Sequence, residues 1–529
     1  MKNKGVFSFL AFVLAVLSTA VSAATFRWSS QGDITTMDPH ANNESFNNSQ
    51  MINVYDTLTR RGKDYAIRPW LATSWENVAP TKWVVKIRRD AKFSDGTPVT
   101  VEDVIFSHER AKTADSTFKL YSNQMGTMRK IDDATIEFTT PVPNPVMHES
   151  LANIAIMSKA WTEKHKSVRP QDFRAKEDTF ASRNAMGSGA YVLVSYEPGV
   201  KTVFRKNPTW WGHKEGLFEG NVDTIEYRPI GHQATRMAAL RSGELDFVLD
   251  PPVQDIQKLR EEKAFKVWEG HEIRVIFFGF DTHRPELLYS DVKGKNPFQD
   301  ARVRKALYQA IDVNAIQTQV MRGLSQPTAV TLPDLRGNAI PASFDKRLAY
   351  DPAAARKLLA EAGYPKGFGF TLNCPNDRYV NDEKICVAVT AMWAKIGVNA
   401  KLETMPRAQY FQKMGKLDTS AYLLGWGGGS PDAIWILKPV LHSRDTKGSG
   451  DGNYGDTKHA RLDELTDVIE GEMDPAKRNA MIHEAVKIVQ DEVLRIPLHR
   501  QVIPWVSKAN ITVSHQPNNF LTPHWITVK

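Results

Sequence analysis

Residues 83–104 read WVVKIRRDAKFSDGTPVTVEDV, and the rest of the chain is organised around them. Trp83, Val85 and Ile87 alternate with Val84, Lys86 and Arg88, which predicts a strand with one apolar and one mostly polar face. Asp95-Gly96 is turn chemistry, because glycine tolerates the positive φ of a tight turn. Thr100 then precedes a helical run, with Asp103 three residues on as a capping-box partner and Val101, Val104 and Ile105 as the apolar stripe. On physics alone this is a strand–turn–helix corner of any globular protein.

Composition sets the outer limits. A chain of 529 residues exceeds what one hydrophobic core organises, so two or three domains are expected. Hydrophobic residues at 42% and charged residues at 24% are ordinary for a soluble protein. The formal charge is +8, or +6 without Lys2 and Lys4 of the first segment. The positive residues are scattered, which argues against nucleic-acid binding. Lys2 and Lys4, the apolar residues 6–16 and the small residues Val21-Ser22-Ala23 predict an export signal over residues 1–23, cleaved after Ala23, and a periplasmic destination. The alternative, an uncleaved anchor, is opposed by an apolar run shorter than the roughly 20 residues a spanning helix needs.

Working outward, residues 26–30 predict a strand, and Met51, Val54, Tyr55 and Leu58 stand at helical spacing after an Asn- and Ser-rich loop. His40 after Pro39 reads as a satisfied surface or cap residue rather than a metal ligand. Gly187 and Gly189 of NAMGSGAY (184–191) are assigned to a tight turn before a strand. Residues 274–281 are almost continuously apolar, the mark of a strand buried on both faces. Val303, Ala306, Leu307, Ala310 and Ile311 line one face of a helix over 300–312. Asp351-Pro352 supplies an N-cap and a first-turn proline. Strand 368–374, helix 382–396 and strand 398–403 predict a parallel βαβ unit, whose ligands gather beyond the carboxyl ends of the strands. The loop 375–381 lies at such an end.

Two features sit there. Cys374 and Cys386 are the only cysteines, and an even pair this close in an exported chain is most simply a disulfide closing that loop. Arg378 lies inside the loop, and its planar fork suits a carboxylate; pairing with Asp377 or Asp382 is the alternative. Tyr379 beside it is a candidate pocket wall. Gly427-Gly428-Gly429 lacks the Lys-Ser/Thr ending of a phosphate-binding loop. No zincin helix or nucleophile elbow is found, so an enzyme is not expected, although a scattered triad stays open. No cofactor or metal site is expected.

The 83–104 stretch, Pro69-Trp70-Leu71-Ala72, NAMGSGAY, Lys206-Asn207-Pro208, Trp210-Trp211-Gly212 and ALRSGELDF (239–247) together resemble the family 5 extracytoplasmic solute-binding proteins of ABC importers, the peptide/nickel/opine group. The resemblance covers essentially all of the chain after residue 23. It implies an α/β, two-lobed periplasmic binding protein (class II, type 5) with three domains, two crossing hinge strands and an extra small α/β domain. Residues 24–68, 185–277 and 500–529 would form lobe I, 69–184 its accessory domain, and 278–499 lobe II. The crossing strands would be 274–281 and 502–506. It implies a monomer that captures a peptide or peptide-like solute and delivers it to permease subunits. Arg378 matches the arginine with which the family's dipeptide binders hold the peptide C-terminus, and Trp426 the apolar segment across the cleft. Asn43 and Glu44 fall in the loop beside the cleft. Those binders carry an aspartate three residues after the tryptophan to pair with the ligand's amino group; Gly429 stands there instead, with Gly428 before it and Asp432 as the nearest acid. An ordinary dipeptide is therefore doubtful, and an opine, a glutathione-like compound or a metal chelate is the alternative within the fold. A periplasmic enzyme, sensor or chaperone is the alternative outside it.

Overall fold

The computed structural model describes residues 24–529 except 174, 333–339, 377, 428–429 and 446–447. The expected export signal over 1–23 lies outside the described residues. One eleven-stranded mixed sheet runs the length of the molecule. From one end its order is Asn399–Met405, Gly369–Pro375, Ala421–Trp426, Phe265–Phe280, Ile496–Lys508, Phe247–Val248, Ala24–Ser29, Val222–Tyr227, Lys201–Lys206 and Tyr191–Glu197, with Ser325–Pro327 paired beside Ile496–Lys508.

The two central strands are the long ones, and their pairing explains how the halves are joined. Residues 275–280 of Phe265–Phe280 pair antiparallel with Ala421–Trp426, whereas residues 265–271 pair with 502–508 of Ile496–Lys508. That partner in turn meets Phe247–Val248 through Val506 and Ser507. Each strand therefore begins in one lobe and ends in the other, as expected, and both extend well beyond the lengths read from sequence.

The apolar run is buried on both faces. Ile276, Phe278 and Phe280 pack with Phe370 and Trp393, while Phe277 packs on the opposite side with Tyr422 and Leu424. The other lobe has its own core, in which Phe26, Trp28, Tyr227, Phe247 and Trp505 meet. Gly369–Pro375 and Asn399–Met405 pair in parallel across the helix Asp382–Ala394, as the βαβ reading expects.

The opening stretch folds as its chemistry dictates. Lys82–Ile87 is a strand of a separate four-stranded antiparallel sheet, with Trp83, Val85 and Ile87 buried. Gly96 has φ +90°, and Thr100 and Asp103 close a reciprocal capping box on the helix Val101–Lys112. Asp300 and Asp351 likewise cap the helices Ala301–Gln309 and Pro352–Glu361. Gly187 and Gly189 correct the turn reading. Neither has a positive φ, and an added Cβ would meet the Val54 carbonyl oxygen at 2.1 and 2.7 Å. They are glycine because another backbone passes against them.

Candidate functional site

Cys374 ends the strand Gly369–Pro375, and Cys386 lies in the first turns of the helix Asp382–Ala394; they form a disulfide, with Cα atoms 6.7 Å apart. The loop between them is held from both sides. Asp382 accepts the backbone N–H groups of Arg378 at 2.9 Å and of Tyr379 at 3.0 Å. Val380 donates its N–H to Gln501 of the second crossing strand at 3.1 Å. Asp382 thus fixes the loop backbone, and the Arg378 fork is left for another partner.

That fork lies 5.1 Å from the centroid of the Tyr379 ring, and no carboxylate among the described residues comes within ion-pair distance of it. Asp377, the other alternative partner, lies outside the described residues. Burial, reinforced by Arg274 and more weakly by Arg407, holds the Arg378 guanidinium below the ordinary arginine value. A half-buried cation so placed gains from an anion.

Tyr379 is buried, and its hydroxyl donates to the Gly425 carbonyl at 3.2 Å. A Cβ on Gly425 would stand 2.6 Å from the Tyr379 ring, so the glycine before Trp426 makes room for that ring. Trp426 is half-buried, and its indole N–H donates to the Trp435 carbonyl at 2.6 Å. The Trp435 ring packs on Tyr121 of the helix Lys119–Met125, with centroids 5.6 Å apart. Arg378, Tyr379 and Trp426 are thus carried by neighbouring strands, since Gly369–Pro375 pairs with Ala421–Trp426.

Sequence reasoning missed three polar residues at this spot. The pairing of the crossing strands breaks between His271 and Val275, so Glu272, Ile273 and Arg274 stand opposite the single Gln501. Such a bulge re-aims side chains beside functional sites. Arg274 pairs with Glu272 at 3.1 Å, Gln501 donates to Glu272 at 2.9 Å, and Arg274 lies 5.7 Å from the Tyr379 centroid. No local sequence signal announces the bulge; only the charged pair flanking Ile273, just before the apolar run, hints at it.

The remaining candidates are placed differently. Arg478 donates to both oxygens of Asp432 at 2.7 Å, so that acid is already engaged. Glu44 caps the helix Ser45–Val54 by accepting the Asn47 N–H, and Asn43 bonds to Thr117 and Asn48. Among the described residues neither is bonded to Arg378, Tyr379 or Trp426. Gly428 and Gly429 lie outside the described residues. His40 is fully buried: Arg110 donates to its Nδ1, and its Nε2–H donates to the Ala155 carbonyl. Among the described residues there is no cluster of three metal-ligating side chains, and no helix is long and apolar enough to cross a membrane.

The profile of the bacterial extracellular solute-binding proteins, family 5, matches residues 66–448. The periplasmic oligopeptide-binding protein OppA of Escherichia coli is 24% identical over 90% of this chain and 87% of its own. The heme-binding protein A of Haemophilus influenzae is 26% identical over 86% of this chain and 83% of its own. The ABC transporter substrate-binding protein CtaP of Listeria monocytogenes has the same fold, with a TM-score of 0.81 and 19% identity over 96% of this chain and 99% of that one. Two lobes on crossing strands and a profile match over most of the length agree: the chain belongs to the bacterial extracellular solute-binding proteins, family 5, and is a solute-binding receptor of an ABC importer.

Proposed function

We propose that this receptor captures a peptide or peptide-like solute by its carboxylate, with the Arg378 fork on the carboxylate and Tyr379 and Trp426 as the wall beside it. The observation that carries the reading is the half-buried Arg378 guanidinium with no carboxylate in ion-pair reach among the described residues. Closure of the lobes would remove water and strengthen that contact. Asp432 is committed to Arg478, and by resemblance Gly429 replaces the amine-binding aspartate. This favours ligands whose amine is blocked or set away from the place a dipeptide's would occupy, such as an opine or a γ-linked conjugate like glutathione, over plain dipeptides.

The same reading has the protein bind without turnover, lose residues 1–23 after Ala23 and work in the periplasm. It divides the chain into lobe I (24–68, 185–277, 500–529), an accessory domain (69–184) and lobe II (278–499). The test is mass spectrometry of what co-purifies with the protein from its host. A carboxylate-bearing conjugate that Arg378→Ala no longer retains is expected; a ligand with no carboxylate, or one retained equally by the variant, overturns the assignment.

A further inference from the structure

We propose that Arg274 is a second ligand-binding residue, and that the site takes one carboxylate gripped by two guanidiniums, Arg378 from the loop and Arg274 from the bulge in the crossing strand. The inference rests on the reading of Arg378 given above. Both guanidiniums lie beside the same Tyr379 ring, at 5.1 and 5.7 Å from its centroid. Neither is exposed enough to be neutralised by water alone: Arg378 is half-buried, and the Arg274 side chain keeps only 20% of its exposure.

Charge and donor counting define the ligand. Among the described residues, one carboxylate, Glu272, is ion-paired in this group, and it meets Arg274 through Nε, at 3.1 and 3.2 Å from its two oxygens. It also accepts from Gln501. Arg274 Nη1 reaches the Gly425 carbonyl at 3.4 Å. Glu272 is engaged by Arg274 and Gln501, and Asp382 by the loop's own N–H groups, so neither carboxylate forms an ion pair with Arg378 among the described residues. A ligand carboxylate supplies an anionic partner, and the several lone-pair sites of its two oxygens let it accept from both guanidiniums at once. An ammonium group brought to the same place would be repelled. The ligand class is therefore an acid whose net charge near the anchoring carboxylate is negative, as in a peptide or conjugate with a blocked or distant amine.

The bulge gives Arg274 a second consequence. Glu272 and Gln501 belong to opposite crossing strands, and Gln501 also holds the Val380 N–H of the arginine loop. A ligand on Arg274 thus sits on the hydrogen-bonded chain that ties both crossing strands to the loop.

The test uses the full mature protein, unfolded in guanidinium chloride to free it of ligand and refolded. It is offered an enzymatic casein hydrolysate whose amines have been acetylated, and the same acetylated hydrolysate with its carboxylates amidated, and retained peptides are weighed by mass spectrometry. Wild type is expected to retain peptides from the acid form alone, and Arg274→Gln to retain at least ten-fold less. Because Arg274→Gln leaves Glu272 buried without its partner, the double variant Arg274→Gln/Glu272→Gln is measured beside it and is expected to show the same loss at an unchanged unfolding temperature. Retention by the double variant equal to wild type overturns the role of Arg274 while leaving Arg378 standing. Equal retention of amidated peptides, or retention of neither form, overturns the carboxylate anchor and both arginines with it.

Discussion

Arg478 holds both oxygens of Asp432 at 2.7 Å in a pair whose side chains are each about nine-tenths buried. Removing one member strands the other charge away from water. We expect Arg478→Ala to cost about 3–5 kcal/mol, whereas replacing both by apolar residues of similar size costs far less. Denaturant unfolding of the two variants checks this. A single variant as stable as wild type would show that the pair carries no stability, and Asp432 would return as a candidate for a ligand amine.

The disulfide closes the loop that carries Arg378. Its loss in Cys374→Ser/Cys386→Ser is expected to cost about 3 kcal/mol in the chain-entropy model. Ligand affinity should fall as well, because hydrogen bonds such as those to Asp382, Gln501 and Gly425 are then left to hold the loop without its covalent tie. Calorimetric titration with the co-purified ligand, before and after reduction of wild type, separates the two effects.

Asp56 is where several of the sequence landmarks converge. It accepts from Trp70 Nε1 at 2.7 Å, Trp211 Nε1 at 2.9 Å and Ser188 Oγ at 2.9 Å, all buried. Asp56→Leu leaves three buried donors unmatched, at about 1–3 kcal/mol each. A drop in unfolding temperature with ligand specificity intact is the expected result, since these groups lie in the core of the lobe opposite the arginine loop.

Acid should unfold the protein through its buried histidines. Burial pushes His40 and His499 down to about 3 and His515 to about 4, so all three stay neutral in the fold. The unfolded chain binds their protons below about pH 6.5 and the folded chain does not, so stability falls as pH drops from there towards 3–4. Asp250, raised by burial to about 6, opposes this, because the fold takes up its proton first. Together these four groups give a loss of about 3 kcal/mol per pH unit near pH 5. Denaturant midpoints at pH 7, 6 and 5 measure the slope, and a flat profile would contradict the neutral histidines.

The sequence by itself determined the local structure: the strand alternation of Trp83, Val85 and Ile87, the capping box of Thr100 and Asp103, the parallel βαβ unit and the Cys374–Cys386 bridge. Each depends on residues close in sequence, where the periods of helix and strand and the conformational limits of single residues decide. The tertiary structure alone decided the partners of charge. Asp432 and Arg478 lie 46 residues apart, and Glu272 and Gln501 lie 229 apart. Nothing in the period of either segment says that they meet. The reason Gly187 and Gly189 are glycine was also invisible, because it is the approach of Val54 rather than a turn. The site is half legible for the same reason. Arg378 could be picked out by its loop and its fork, but the bulge that sets Arg274 beside it exists only once two distant strands pair out of step.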